Sequence, residues 1–218
     1  MGQKHKPSNP AVVGIVDSPQ ARRLASRLKG GEVDVLEWRA DCLPEVAALP
    51  VSVFPWILTA RHPGEGGCGR LSGPAREKLF LRLMPGAAYV DVELRSFRAM
   101  RNVLSSAGGA RIIASFHDFQ KTPGAAVLRD LSDRAADSGA DILKVATRAT
   151  DPKDVGRLLE LFSVSRLPVA VMGMGPLGFS SRLLFAAGGS VLNYGWLHRP
   201  NVPGQWPALE LKAMLARQ

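Results

Sequence analysis

Lys144 stands inside the apolar run Asp141-Ile142-Leu143-Lys144-Val145-Ala146. An ammonium among Ile142, Leu143 and Val145 is costly to bury. Such a lysine either reaches the rim to pair with a carboxylate such as Glu93 or Asp91, or it is there for chemistry. Desolvated and close to arginines, its amine is neutral often enough to attack a carbonyl and form an imine. Imine chemistry also needs a group that takes and returns protons near neutral pH. His117, one of four histidines, ends the preceding apolar run in Ser115-Phe116-His117-Asp118. Polar endings recur at Glu37-Trp38-Arg39, Thr59-Ala60-Arg61 and Asp91-Val92-Glu93. The strand period of two puts Glu37 and Arg39 on one side. A lone Asp or Arg at a strand end is ordinarily a helix cap or a surface pair, but here five consecutive runs end this way.

A second group of residues suits an anion. From Leu161 to Leu209 there is no Asp or Glu, while Arg166, Arg182, His198 and Arg199 are present. Gly173-Met174-Gly175-Pro176-Leu177-Gly178 matches G-x-G-x-x-G after an apolar run. Dinucleotide binding would need this motif in the first βαβ unit and an acid about 20 residues further on, and neither condition holds. The backbone amides of that loop, with Ser180, Ser181 and Arg182 at the next helix start, suit an anionic group instead. A tight turn at Pro203-Gly204-Gln205 is placed to close over it.

The elements that must position these residues are short and regular. Apolar, β-branched runs fall at Val12–Val16, Val33–Leu36, Val53–Thr59, Ala88–Leu94, Arg111–Phe116, Asp141–Val145, Pro168–Met172 and Ser190–Tyr194. They start roughly 20–35 residues apart, the length of a strand plus a crossover helix. Near-continuous hydrophobicity suits strands buried on both faces. Ser or Asp with Pro at the start, and often Gly at the end, marks helices at Ala21–Lys29, Ala75–Met84, Ala125–Ser138, Lys153–Phe162 and Pro207–Arg217. Eight strands alternating with helices predict a parallel α/β fold, and eight is the count that closes a (β/α)₈ barrel. An open doubly wound sheet is the structural alternative. With no linker or repeat to divide it, the chain of 218 residues reads as one domain, residues 1–10 being a flexible tail.

Composition narrows the function classes. The chain is 46% hydrophobic and 22% charged, which excludes a disordered chain. No apolar run approaches the ~20 residues of a membrane span, and the polar start shows no secretion signal. A cytoplasmic protein without a membrane partner is expected. Cys42 and Cys68 are expected as free thiols, since no C-x-x-C spacing holds zinc and two cysteines make no disulfide framework. The net charge of +9, mostly from arginine, attracts anions of any size. Arg22, Arg23, Arg27 and Lys29 cluster on one helix, but without aromatic interleaving they read as a solvated face, not a nucleic-acid site.

Taken in order, these residues resemble the type I 3-dehydroquinate dehydratases of the shikimate pathway. The matching pieces are Asp34-Val35-Leu36-Glu37-Trp38-Arg39-Ala40-Asp41, Leu58-Thr59-Ala60-Arg61 with Glu65-Gly66-Gly67, Tyr89-Val90-Asp91-Val92-Glu93-Leu94, Ser115-Phe116-His117-Asp118-Phe119 with Thr122-Pro123, Ala140 to Ala146, Met172 through Gly178 to Ser181-Arg182, and Pro203-Gly204-Gln205. The resemblance implies a (β/α)₈ barrel that dehydrates 3-dehydroquinate to 3-dehydroshikimate with no cofactor and no metal. Lys144 would form the Schiff base and His117 would move protons. Glu37 would orient His117 and, with Arg39 and Arg61, hold ring hydroxyls. Arg182 and Gln205 would hold the substrate carboxylate. Asn201 stands where the family has a substrate-binding serine, followed by Val202 where it has alanine, and Asn193 stands where it often has threonine. The family's N-terminal hairpin has no counterpart. The partner implied is a small anionic substrate, and a homodimer is allowed. Another Schiff-base lyase or aldolase on the same barrel is the competing enzyme reading.

Overall fold

In a computed structural model, which describes residues 10–69 and 71–217, the eight apolar runs become eight parallel strands. They are β1 (Ala11–Val16), β2 (Val35–Arg39), β3 (Trp56–Thr59), β4 (Ala87–Glu93), β5 (Arg111–Asp118), β6 (Ile142–Arg148), β7 (Val169–Met174) and β8 (Leu192–Trp196). Each strand pairs with its sequence neighbour from β1 to β7, and β8 pairs with β1. The last seam, between β7 and β8, carries the Val191 N–H to Val169 carbonyl bond at 2.9 Å. The sheet is thus a nearly closed barrel and not an open one. The expected tail lies outside the described residues apart from Pro10.

Among the described residues seven helices surround the sheet: α1 (Pro19–Ala25), α2 (Gly73–Leu83), α3 (Arg101–Ser105), α4 (Ala125–Asp137), α5 (Pro152–Val164), α6 (Gly178–Ala187) and α7 (Ala208–Leu215). Ser18, Ser72 and Asp151 cap α1, α2 and α5 through their side-chain oxygens, with Pro in the first turn of each. Residues 40–55, between β2 and β3, carry no helix. Among the described residues no helix is long and apolar enough to cross a membrane.

The period of two divides every strand. Val12, Val16, Leu36, Trp38, Leu58, Val90 and Val92 face outward and bury against the helices. Val13, Ile15, Val35, Ile57, Ile113, Ile142 and Ala170 face inward and fill the barrel. Above that apolar layer the inward positions turn polar: Glu37, Arg39, Thr59, Asp91, Glu93, Ser115, His117 and Lys144. β2, β5, β6, β7 and β8 run further than their apolar runs suggest because the strand continues where its side chains line a cavity.

Candidate active site

The C-terminal ends of the strands enclose a cavity of about 480 Å³ whose lining includes Asp17, Glu37, Arg39, Arg61, Glu65, Cys68, His117, Lys144, Arg182, Tyr194, Asn201 and Gln205. Ser180 and Ser181 do not line it, whereas Lys144, His117, Glu37, Arg39, Arg61, Arg182, Asn201 and Gln205 all do, as expected. Their connections differ in places from those expected.

Lys144 is 4% exposed and reaches up from β6. Its Nζ donates to Asp91 Oδ2 at 2.9 Å and to Glu37 Oε1 at 3.4 Å. The pairing with Asp91 and the position in the cavity therefore coexist. Arg61 Nη2 donates to the same Asp91 oxygen at 2.8 Å, and its Nη1 donates to Glu93 Oε1 at 3.2 Å and to Ser115 Oγ at 2.6 Å. Ser115 Oγ donates in turn to Asp91 Oδ1, and Arg76 holds the other oxygen of Glu93. Burial works against both charges of the central pair. Even so, Arg61 and then Lys144 hold Asp91 far below the carboxylate range, while Asp91 and Glu93 hold Arg61 above its ordinary value. Buried charges persist only when paired and hydrogen-bonded, and these are.

His117 corrects one expectation. Glu37 does not orient it, because the Glu37 carboxylate sits lower in the barrel, accepting from Thr59 Oγ1 at 2.9 Å and from Lys144. Glu65 takes that role from a short 3₁₀ turn, Pro63–Glu65. Its Oε2 lies 3.0 Å from His117 Nδ1 and accepts the His117 backbone N–H at 3.0 Å. Burial, then the Glu93 charge, raises Glu65 to about 7 against the pull of Arg61. Burial, then the charges of Arg61 and Lys144, holds the imidazole well below its ordinary value. A neutral imidazole beside a carboxyl poised near neutrality can pass protons in either direction. The sequence motif that contains Glu65 does not reveal this role, because its placement depends on a loop folding across from β3 to β5.

The cysteines give a second correction. Cys42 and Cys68 form a disulfide, with Cα atoms 5.1 Å apart. They are 26 residues apart in sequence, but β2 and β3 are neighbours, so the loops that follow them run side by side. The Asp41 carboxylate lies between those loops, accepting from Arg39 Nε and Nη2 at 3.0 and 2.8 Å, from Arg61 N–H at 3.0 Å and from Cys68 N–H at 2.7 Å. Arg39 also donates to the Gly66 carbonyl at 3.1 Å. Arg39 is therefore committed to Asp41 at the rim.

Arg182 has no such partner. It is 4% exposed, and its Nε and Nη1 donate to the carbonyls of Gly173 and Tyr194 at 3.1 and 2.9 Å. No carboxylate lies within ion-pair distance of it among the described residues, and burial lowers it to about 10. Ser180 and Ser181 do not join it, as their hydroxyls donate to the carbonyls of Leu177 and Gly178 in their own helical turn. The glycine loop serves packing: a Cβ on Gly178 would come within 2.7 Å of the Gly204 backbone, and Gly204 has φ +79°. Gln205 Oε1 accepts the Asn201 N–H at 2.8 Å, which leaves its amide hydrogens for a ligand. The Asn201 side chain donates to Asp17. Asn193 faces out of the barrel and donates to the Ser190 carbonyl at 2.9 Å. The inward residue is its neighbour Tyr194, which the sequence reading passed over.

Similarity to known proteins follows the same lines. Residues 12–217 match the family model described as type I 3-dehydroquinase. A 3-dehydroquinate dehydratase from Methanocella arvoryzae is 36% identical over 204 residues, covering 90% of this chain and 91% of that protein. One from Pyrococcus abyssi is 34% identical over 214 residues, covering 94% and 96%. Among solved structures, the type I 3-dehydroquinate dehydratase of Clostridium difficile superposes with a TM-score of 0.82 at 26% identity, covering 96% of this chain and 92% of that one. The Aquifex aeolicus enzyme gives 0.78 at 28% identity, covering 95% and 98%. With the family model spanning nearly the whole barrel and relatives above 30% identity along its length, the chain belongs to the type I 3-dehydroquinase family.

Proposed function

We propose that this chain dehydrates 3-dehydroquinate to 3-dehydroshikimate through a Schiff base on Lys144, a step of the shikimate pathway. The observation that carries the reading is one cavity holding a buried lysine, an acid–base imidazole and an unpaired guanidinium. Lys144 gives up a proton and its Nζ attacks the ring ketone. The carbonyl oxygen takes one proton from that nitrogen and a second from the acid–base group His117, and leaves as water, giving an iminium. The iminium draws electrons and acidifies the adjacent C–H. His117 takes that proton and returns one to the departing ring hydroxyl, which leaves as the second water. Hydrolysis of the conjugated iminium then frees the product and restores the lysine.

The remaining residues hold the ring. Arg182 offers the only buried guanidinium among the described residues without an ion-pair partner, so it takes the substrate carboxylate, assisted by the Gln205 amide hydrogens. Glu37 holds Lys144 beside Asp91 and faces ring hydroxyls, and Arg39 and Arg61 position the wall. Asn201 acts on the substrate through the turn that carries Gln205, by its bonds to Gln205 and Asp17. The direct test is the rise of conjugated enone absorbance on adding 3-dehydroquinate to the purified protein. Turnover by the protein and its loss in Lys144→Ala are expected. Turnover that survives that substitution would refute the assignment.

A further inference from the structure

Tyr194 projects inward from β8 and is 2% exposed. The Lys144 Nζ sits 3.7 Å from the centroid of its ring, well inside the distance at which a cation is attracted to an aromatic face. The hydroxyl does not explain the residue, since it is buried without a hydrogen-bond partner among the described residues, an arrangement that costs stability. Burial, then the charges of Glu37 and Asp91, holds the phenol well above its ordinary value. It stays neutral and is unsuited to proton transfer.

We infer that Tyr194 is a further catalytic residue, whose ring face touches the reacting nitrogen and stabilises the iminium relative to the neutral carbinolamine before it. The inference rests on Lys144 being the nucleophile. In the step concerned the carbinolamine C–O bond breaks, the hydroxyl takes a proton from the acid–base group and leaves as water, and the nitrogen lone pair forms C=N. The resting ammonium has three N–H donors and spends two on Asp91 and Glu37. An iminium nitrogen bonded to two carbons keeps one N–H, so it cannot keep both carboxylate hydrogen bonds. Attraction to the ring face needs no N–H and persists unchanged. The ring thus supports the positive charge at the stage where the carboxylates hold it least.

The test quenches the protein with borohydride at saturating 3-dehydroquinate and measures, by intact mass, the ratio of chains reduced on Lys144 to chains unmodified. Tyr194→Phe keeps the face without the orphaned hydroxyl and is the reference. Against it stand Tyr194→Leu and a series with mono-, di- and trifluorinated phenylalanine at the same position. These keep the ring's shape while draining its face of electron density. The ratio should fall stepwise with fluorination and roughly 2- to 30-fold in Tyr194→Leu. A flat fluorinated series overturns the inference even if Tyr194→Leu misfolds, and so does a Tyr194→Leu ratio equal to the reference. If the unsubstituted protein traps no adduct on Lys144, the Schiff-base reading fails and this inference with it. If it traps adduct and the series is flat, only the role of Tyr194 fails.

Discussion

The two sides of the barrel mouth are built on opposite electrostatic plans. On the side of β2 to β6, Arg39, Arg61, Arg76 and Lys144 face Asp41, Asp91, Glu93 and Glu37, so each cation has a carboxylate partner. On the side of β7 and β8, Arg182 is buried and, among the described residues, donates only to backbone carbonyls. Paired charges are held in place and carry little net charge outward. An unpaired one is a demand for an anion that the protein does not supply. Under the proposed function, the paired side holds the residues that position and react, and the unpaired side the residue that binds.

Substitutions can break that contrast. Lys144→Ala should have the largest effect, about 10⁴-fold or more in turnover, with the fold kept, since Asp91 retains Arg61 and Ser115. Circular dichroism and the enone assay together check this. Next comes the proton pair. His117→Ala should lose roughly 10²–10⁴-fold in the proton-transfer steps, with borohydride-trappable adduct accumulating because elimination and hydrolysis stall. In the unsubstituted protein kcat/KM should rise with pH through about 7 as Glu65 ionises and can accept the Nδ1 proton. Glu65→Gln should remove that limb and leave a lower, flatter profile. An unchanged profile would separate Glu65 from His117.

Arg182→Lys tests the unpaired side. It keeps the charge but loses the planar fork, so KM should rise roughly tenfold or more, with some loss of kcat as the ring is less well aimed at Lys144. An analogue without the carboxylate should be discriminated against strongly by the native protein and much less by Arg182→Lys. Equal discrimination by both would move the anion site to Arg39 or Arg61. Gln205→Ala should act in the same direction by roughly 2- to 10-fold. The smallest effect on activity is expected from reducing Cys42–Cys68. Opening a loop of 26 residues should remove about 3 kcal/mol of stability, read as a lower denaturation midpoint. Turnover should change little, because the Asp41 carboxylate still ties both loops.

Much of this was legible along the chain because strand geometry is local. The inward register of Glu37 with Arg39, and of Lys144 within β6, follows from the period of two, and the eight runs predict a parallel α/β fold of the right strand count for a barrel, though closure itself is a long-range feature. What escaped depended on loops crossing between strands. Glu65 reaches His117 from the turn after β3, Cys68 meets Cys42 across two loops, and Asp17 meets Asn201 only because β1 lies beside β8. Tyr194 escaped for a different reason, since a tyrosine in an apolar run reads as core until the lysine opposite it is placed.

Whether Lys144 bonds covalently to the substrate is read by peptide mass spectrometry after treatment with 3-dehydroquinate and borohydride. A single reduced adduct on the peptide containing Lys144 is expected. Turnover of 3-dehydroquinate with no adduct there, or with the adduct on another lysine, would contradict it.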